Sequence, residues 1–167
     1  MEKQIQFTHI GIIHTPFAKP EGVPVQAQGG KNIKGSIEVY EQFTVGLKDL
    51  EGFSHIMLLY HFHLSESYTL EVRPFLDEEP RGLFATRAPK RPNPIGISVV
   101  RLIEIKGNKL LIEDVDMVDG TPLLDIKPYV PAFDHRENVS AGWLSSKGDL
   151  IHKTRSDSRF SSPEHGK

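Results

Sequence analysis

Residues 85–98, with the sequence ATRAPKRPNPIGIS, combine three cations with three prolines. We call residues 85–94 the basic loop. Prolines fix φ and lack a backbone donor, so this stretch favours neither a helix nor a central strand. Cations held on a stiff loop lose little entropy when an anion binds, which suits recognition of phosphates or carboxylates. The alternative is a proline-braced turn whose charges are only solvated.

Residues 54–64, SHIMLLYHFHL, predict the strongest strand of the chain and carry three histidines. Because side chains alternate in a strand, His55, His61 and His63 share one face, opposite a uniformly apolar face. Imidazole is the commonest metal ligand, so a metal site is one hypothesis. Hydrogen-bonding or ligand-lining roles explain the pattern equally well, and the carboxylate that normally completes such a site is not nearby.

A carboxylate and a long connection are further candidates. Asp125 lies between apolar neighbours in residues 118–131, VDGTPLLDIKPYVP, and we expect it to be buried. A carboxylate there is costly unless it is paired or used in function. Residues 17–32 contain prolines, glycines and glutamines but no strong element. A connection of this length favours a binding loop, with a disordered insertion as the alternative.

The composition is that of an ordinary soluble globular protein. Of 167 residues, 38% are hydrophobic and 25% are charged, and no apolar run reaches the length of a membrane span. There is no cysteine, which excludes disulfides and thiolate chemistry but says nothing about the compartment. Because the start lacks a hydrophobic signal core, we expect a cytoplasmic protein. The net charge of −2 argues against a generally basic surface, but residues 81–103 contain five cations and no acid.

Strand and hairpin signals dominate, and long amphipathic helices are missing. The predicted strands are residues 6–14, 35–40, 54–64, 82–86, 95–105 and 109–117, with a short helix in 43–50. Residues 123–129 are predicted to be extended but irregular, as in an edge strand. The fold class is therefore mostly β, a small, mostly antiparallel sheet or barrel with long functional loops and a few short helices.

Residues 145–167 are polar and serine-rich, which predicts a disordered or at most loosely docked tail. We therefore expect one domain in residues 1–144, followed by this tail. Motifs for dinucleotide binding, phosphate-binding loops, serine hydrolases and zinc proteases are absent from the sequence.

Four blocks of sequence resemble one known family. They are FSHI at 53–56, Phe62-His63, ATR-x-x-x-RPNPIG at 85–96 and VDGTPLLDIKPY at 118–129. Their order and spacing, over residues 9–131, are those of the TsaA/TrmO-like family. The resemblance implies a small antiparallel β-barrel that works as a homodimer with S-adenosyl-L-methionine as cofactor. The implied reaction is methylation of N6 of threonylcarbamoyladenosine at position 37 of tRNA.

The resemblance also implies which residues contact the cofactor. They are Gln26, Ala27, Gln28, Phe62, His63, Arg87, Pro122, Leu123, Leu124 and Asp125, with Gly96 or Ile97 as a further neighbour. Aromatic and apolar groups in this set can hold an adenine. A carboxylate can accept hydrogen bonds from hydroxyls or an ammonium.

The implied chemistry is an in-line displacement at a sulfonium, in which the protein aligns the acceptor nitrogen with the methyl carbon. The carbamoyl group makes that nitrogen a poor nucleophile, so loss of its proton should help. His63 and Asp125 are the candidates for assisting this step. On the substrate side we place Arg91 and Asn93. Arg87 and Lys90 are expected near phosphates or the carboxylate of the modified base.

Two departures from the family pattern keep other readings open. Val25 stands where the family usually has an arginine, and a polar tail follows Trp143 where some bacterial members carry a further domain. One alternative is a module that binds S-adenosyl-L-methionine without acting on tRNA. Another is a methyltransferase with a different, small-molecule acceptor.

Overall fold

The computed structural model describes residues 4–147 and 153–160. Its strands are β1 Gly11–His14, β2 Lys34–Val39, β3 His55–His61, β4 Glu71–Val72, β5 Arg81–Gly82, β6 Ile95–Lys106, β7 Lys109–Glu113 and β8 Thr121–Pro128. The α-helix, α1, is Pro131–Asp134. Short 3-10 helices cover Ala27–Gly30, Glu41–Leu47, Leu50–Gly52, Leu83–Ala85, Gly142–Leu144 and Ser158–Phe160. No helix in the described ranges is long and apolar enough to cross a membrane.

Six strands form a closed barrel in the order β1-β2-β7-β6-β3-β8, and every pairing is antiparallel. Closure removes the exposed edges that an open sheet of this size would present. The small sheet β4-β5 lies outside the barrel order. The prediction of a small antiparallel β-barrel is confirmed.

Alternation along the strands fills the barrel with aliphatic side chains. In β3, Ile56, Leu58 and Tyr60 are buried while the residues between them are partly exposed. They meet inward residues of the other strands, such as Val100 and Leu123, both of them fully buried. The alternating pattern of β3 was therefore a reliable signal, because a half-buried strand has one dry and one wet face.

Two sequence-based predictions of elements were wrong. The region of residues 123–129 is the central strand β8, which pairs with β1 on one side and β3 on the other. Its prolines are tolerated because Pro122 and Pro128 lie near the two ends of the strand. Residues 82–86 form only the end of β5 and a 3-10 turn, because this part of the chain bends toward the basic loop.

Gly96 is the residue of β6 that lies opposite Tyr60 of β3. A Cβ added at Gly96 would overlap the Tyr60 ring and lie 2.9 Å from Cζ of Phe62. The absence of a side chain therefore lets both rings pack over the start of β6. This packing explains the glycine without any role in ligand binding.

We expect Gly96→Ala to lower the free energy of unfolding by about 1–3 kcal/mol, because the added methyl overpacks against two rings. Urea denaturation followed by circular dichroism would measure the change. Gly82→Ala is the matched control, since a Cβ at Gly82 meets no atom within 4 Å. Equal effects of the two substitutions would contradict the packing role of Gly96.

Candidate functional site

A cavity of about 300 Å³ opens at one end of the barrel. The end of β3 and the beginnings of β6 and β8 meet there, and the long first loop and the basic loop cover them. The lining is mostly apolar, with a few polar and charged groups that include Thr86, Arg87 and Asp116. This size and composition are typical of small-molecule sites.

The cavity brings together many of the residues implied by the family resemblance. Among its lining residues are Gln26, Phe62, His63, Arg87, Arg91, Gly96 and Ile97. They come from four separate parts of the chain. Their convergence on one concave surface supports a ligand site at this end of the barrel.

Other implied residues lie elsewhere. Ala27 and Gln28 belong to the 3-10 turn beside the cavity. Leu123 is fully buried inside the barrel, and Asn93 is exposed on the basic loop. None of Ala27, Asn93, Pro122, Leu123, Leu124 and Asp125 is part of the cavity lining within this chain.

Arg87 connects the basic loop with the long first loop. Its Nη1 donates a hydrogen bond of 2.9 Å to Oε1 of Gln26, across 61 residues of sequence. The same guanidinium faces the cavity and has four further N–H groups for an anionic or carbonyl ligand. Arg87 therefore holds the two loops together and also presents positive charge to a ligand.

The other cations of the basic loop are turned inward. Nη1 of Arg91 donates to the carbonyls of Thr86 (3.0 Å) and Ala88 (3.3 Å), and its guanidinium lies over the Phe84 ring. Lys90 is only 7% exposed, so its expected place near substrate phosphates does not fit the structure. The prediction of an irregular, braced loop is confirmed. The sequence did not show that Arg91 bonds to carbonyls of its own loop.

The sequence predicted a buried Asp125, and this prediction is wrong. Its side chain is 45% exposed and pairs with Lys127 at 2.7 Å. A bulge between Leu59 and Tyr60 shifts the β3–β8 register and turns Asp125 outward, opposite Leu59. Of its apolar neighbours, Ile126 packs against the core, whereas Leu124 is the extra residue at the bulge, so the apolar pattern around Asp125 did not mean that Asp125 is buried.

Sequence reasoning missed Asp116, a carboxylate that lines the cavity. Its Oδ1 accepts a hydrogen bond of 2.5 Å from Oγ of Ser98, and that hydroxyl lies 3.0 Å from the hydroxyl of Tyr60. Burial raises the pKa of Asp116 to about 7, partly offset by the Ser98 hydrogen bond. Burial also raises the pKa of the Tyr60 phenol far above its ordinary value, so Tyr60 stays neutral.

The three histidines do not form a metal site. His55 contacts Ser54 and the ring of Tyr129, whereas His63 lines the cavity. Over residues 4–147 and 153–160, no group of three or more His, Cys, Asp or Glu is placed to hold a metal ion. Burial lowers the pKa of His63, and the neighbouring His61 lowers it further. A neutral imidazole at pH 7 is thus available to accept or donate a hydrogen bond.

The sequence predicts a disordered or loosely docked tail in residues 145–167, of which 148–152 and 161–167 lie outside the described residues. Within this region, residues 154–160 form one wall of the cavity. We call these residues the docked segment. Its backbone pairs with the long first loop, because Gly22 N donates to Ser156 O and Ser156 N donates to Val23 O, both at 2.9 Å. Three of its residues, Ser156, Asp157 and Phe160, line the cavity.

Side chains fasten the docked segment at its end. Phe160 packs edge-on against Phe75 with ring centroids 4.9 Å apart, beside a small buried cluster that includes Leu83. Arg159 donates to the carbonyl of Pro74 at 2.7 Å and is paired with Asp157. The polar composition did not predict this docking, because backbone hydrogen bonds and only a few side chains hold the segment in place.

Three comparisons with known proteins bear on this site. The family model of the tRNA-methyltransferase O N-terminal domain matches residues 12–135. A Pyrococcus abyssi protein named "Probable S-adenosyl-L-methionine-binding protein" is 60% identical over 156 residues, which cover 93% of this chain and 85% of that protein. The Escherichia coli protein named tRNA (adenine(37)-N6)-methyltransferase is 37% identical, over 84% of this chain and 64% of its own length.

Solved structures agree with the sequence matches. The crystal structure of TrmO from Pseudomonas aeruginosa superposes with a TM-score of 0.72 at 34% identity. The match covers 86% of this chain and 63% of that one, so the present chain spans less than two thirds of the solved protein.

We expect Phe160→Ala to release the docked segment, because Phe160 is partly buried against Phe75 and the small cluster, and full burial of a phenylalanine stabilises by about 1.5–3 kcal/mol. Trypsin should then cleave after Arg155 about tenfold faster or more, measured by mass spectrometry under native conditions. Phe133→Ala serves as the control, since Phe133 is 69% exposed. Unchanged cleavage in Phe160→Ala would show that the ring contributes nothing to docking.

Proposed function

The chain belongs to the family of the tRNA-methyltransferase O N-terminal domain, and from this premise we propose that it is an S-adenosyl-L-methionine-dependent tRNA methyltransferase. The acceptor is N6 of the adenosine at position 37, in its threonylcarbamoyl-modified form. On the same ground we propose a cytoplasmic location, where a tRNA substrate would be met.

The observation that carries this proposal is the convergence of Gln26, Phe62, His63 and Arg87 on one cavity in a chain of this family. The apolar walls and the ring of Phe62 suit an adenine. The Arg87 guanidinium suits a carboxylate, such as that of the cofactor's methionine part. Such a site fixes the methyl group relative to an incoming nucleophile, which is the main task when the donor is already activated.

Of the two candidates for removing the proton from the acceptor, His63 and Asp125, only His63 lines this cavity. His63 lines it and has a lowered pKa, so at neutral pH its imidazole is free to accept a proton. Asp125 lies on the outer face of the barrel and would act only if another copy of the chain brought it to the cavity. We therefore assign His63 the assisting role and place Arg91 beside the substrate.

The alternative is a protein that binds the cofactor without methylating tRNA. The names of several relatives, which mention only binding of S-adenosyl-L-methionine, favour it. A methyltransferase with a small-molecule acceptor would share the same cavity. Both alternatives predict cofactor binding without a methylated tRNA nucleoside. An assay of the methylated product therefore separates them from the main proposal.

The test has two stages. Isothermal titration calorimetry with S-adenosyl-L-methionine should show binding, and Arg87→Gln should weaken it about tenfold by removing one charge-assisted contact. The pure protein and cofactor are then incubated with tRNA that carries threonylcarbamoyladenosine, and nucleosides are analysed by mass spectrometry. A methyl group on that nucleoside is the expected product.

Controls keep the outcomes distinct. Arg73→Gln changes an exposed arginine that is not part of the cavity lining and should bind the cofactor like the wild type. Unmodified tRNA tests whether the threonylcarbamoyl group is required. No cofactor binding would overturn the proposal, and binding without any methylated nucleoside would favour the binding-only alternative.

We further propose that the protein is a homodimer, with the outer face of β3, β6 and β8 as the interface. Leu59 lies on this face between Ile97 and Asp125, and Ile97 is 49% exposed. An apolar strip on the outside of a sheet favours a protein partner. A second copy could also bring its Pro122 and Asp125, which the family resemblance implies as cofactor contacts, to a cavity they do not line in their own chain.

Light scattering after size-exclusion chromatography should give twice the mass of one chain. Leu59→Lys should shift the protein toward monomer, because it places a charge in the centre of the apolar strip. Val45→Lys is the control, since Val45 is 87% exposed and lies on a different part of the surface. A monomeric wild type at micromolar concentration would contradict the dimer.

A further inference from the structure

Asp116 is a carboxylate that the family resemblance did not assign and that the proposed reaction leaves unused. It follows β7 in the chain and lies in the cavity wall, with its Oδ1 2.5 Å from the hydroxyl of Ser98. Ser98 and Tyr60, which continue the hydrogen-bond chain, are each only 4% exposed. A carboxylate held by the Ser98 hydroxyl, which the Tyr60 hydroxyl contacts in turn, is fixed in position but keeps its charge unbalanced.

The charged groups around the cavity do not neutralise the Asp116 carboxylate. Arg87 is the cation whose charge acts on Asp116, but no salt bridge joins them and the Arg87 side chain bonds to Gln26. Arg91 is engaged with backbone carbonyls. The other cavity carboxylate, Asp157, has both oxygens within 3.0 Å of Nε of Arg159.

Among the described lining residues, Asp116 is thus the carboxylate without an ion pair. A site that leaves one fixed carboxylate uncompensated is suited to a ligand that brings positive charge. The donor named above carries two such charges, a sulfonium and an ammonium. Both are cations of the same ligand, and the product of methyl transfer keeps only the ammonium.

We propose that Asp116 is the counter-charge for a cationic group of the bound methyl donor, so that the donor binds with release of a proton from this carboxyl. The inference rests on the proposed function, because it takes S-adenosyl-L-methionine as the ligand. It adds that Asp116 sets the preference of the cavity for a cation, a role that no implied contact residue lining the cavity in this chain can take.

The protonation of Asp116 before the donor binds supports the linkage. Burial holds the pKa of Asp116 at about 7, with Ser98 and Arg87 acting in the opposite direction. At neutral pH about half of the molecules therefore carry a proton there. A cation beside the carboxylate lowers its pKa, and the proton leaves to the solvent. The affinity for the donor should accordingly rise as pH increases from about 6 to 8.

The experiment is titration calorimetry of the full chain with S-adenosyl-L-methionine at pH 7, in two buffers of different ionisation enthalpy. The wild type should release about half a proton per ligand, falling toward zero at pH 8.5. Asp116→Asn should release none and bind about tenfold more weakly. Asp119→Asn, a side chain 48% exposed and outside the lining, should behave like the wild type.

Ser98→Ala gives a readout that a purely structural role would not move. Removing the hydrogen bond that lowers the pKa of Asp116 leaves more molecules protonated, so proton release at pH 7 should increase. Repeating the titration with S-adenosyl-L-homocysteine assigns the cation. Release with both ligands identifies the ammonium, and release with the donor alone identifies the sulfonium.

Binding of the donor without proton exchange, or with the same exchange in Asp116→Asn, would overturn this inference while leaving the proposed function intact. No binding at all would overturn both. Thermal melts of each variant show whether it is folded. If Asp116→Asn does not fold, Ser98→Ala decides the question, because its proton release at pH 7 should rise only if Asp116 is the group that loses the proton.

Discussion

The ring of Tyr60 is the contact on which the site depends. It lies inside the barrel near the end of β3, fills the space above Gly96, and meets Phe62 edge-on at 5.4 Å. Its hydroxyl faces Ser98, which holds Asp116. One aromatic side chain thus joins the dry core to the polar wall of the cavity. Burial keeps its phenol neutral at any ordinary pH.

The loops over the cavity are rigid for a different reason. Prolines restrict the basic loop, and Arg91 bonds to two of its carbonyls. Arg87 then ties this loop to Gln26. Side chains that the sequence offered for anion binding are largely used to hold backbone in place. Preorganisation of this kind reduces the entropy lost on binding, so a few remaining polar groups can still give useful affinity.

Much of the fold could be predicted from local patterns. Alternation identified β3, β6 and β7, and the Lys-Gly-Asn turn identified β6 and β7 as a hairpin. Both signals depend only on neighbours in the sequence. The family motifs placed His63 and Arg87 at the cavity. Orientation could not be predicted in the same way. Asp125 turns outward because of a bulge, and nothing local distinguishes Asp116 from the other acids around it.

Closure of the barrel also constrains how the chain can fold. β1 pairs with β8, and the neighbouring contact between His14 and Asp119 spans 105 residues. Contacts at such separation make folding slow. On the ribosome, β1 and β3 are synthesised well before β8, the strand that joins them, and their hydrogen-bonding edges stay open until it emerges. The cavity, built from both ends of this sequence, is therefore among the last features to form during synthesis.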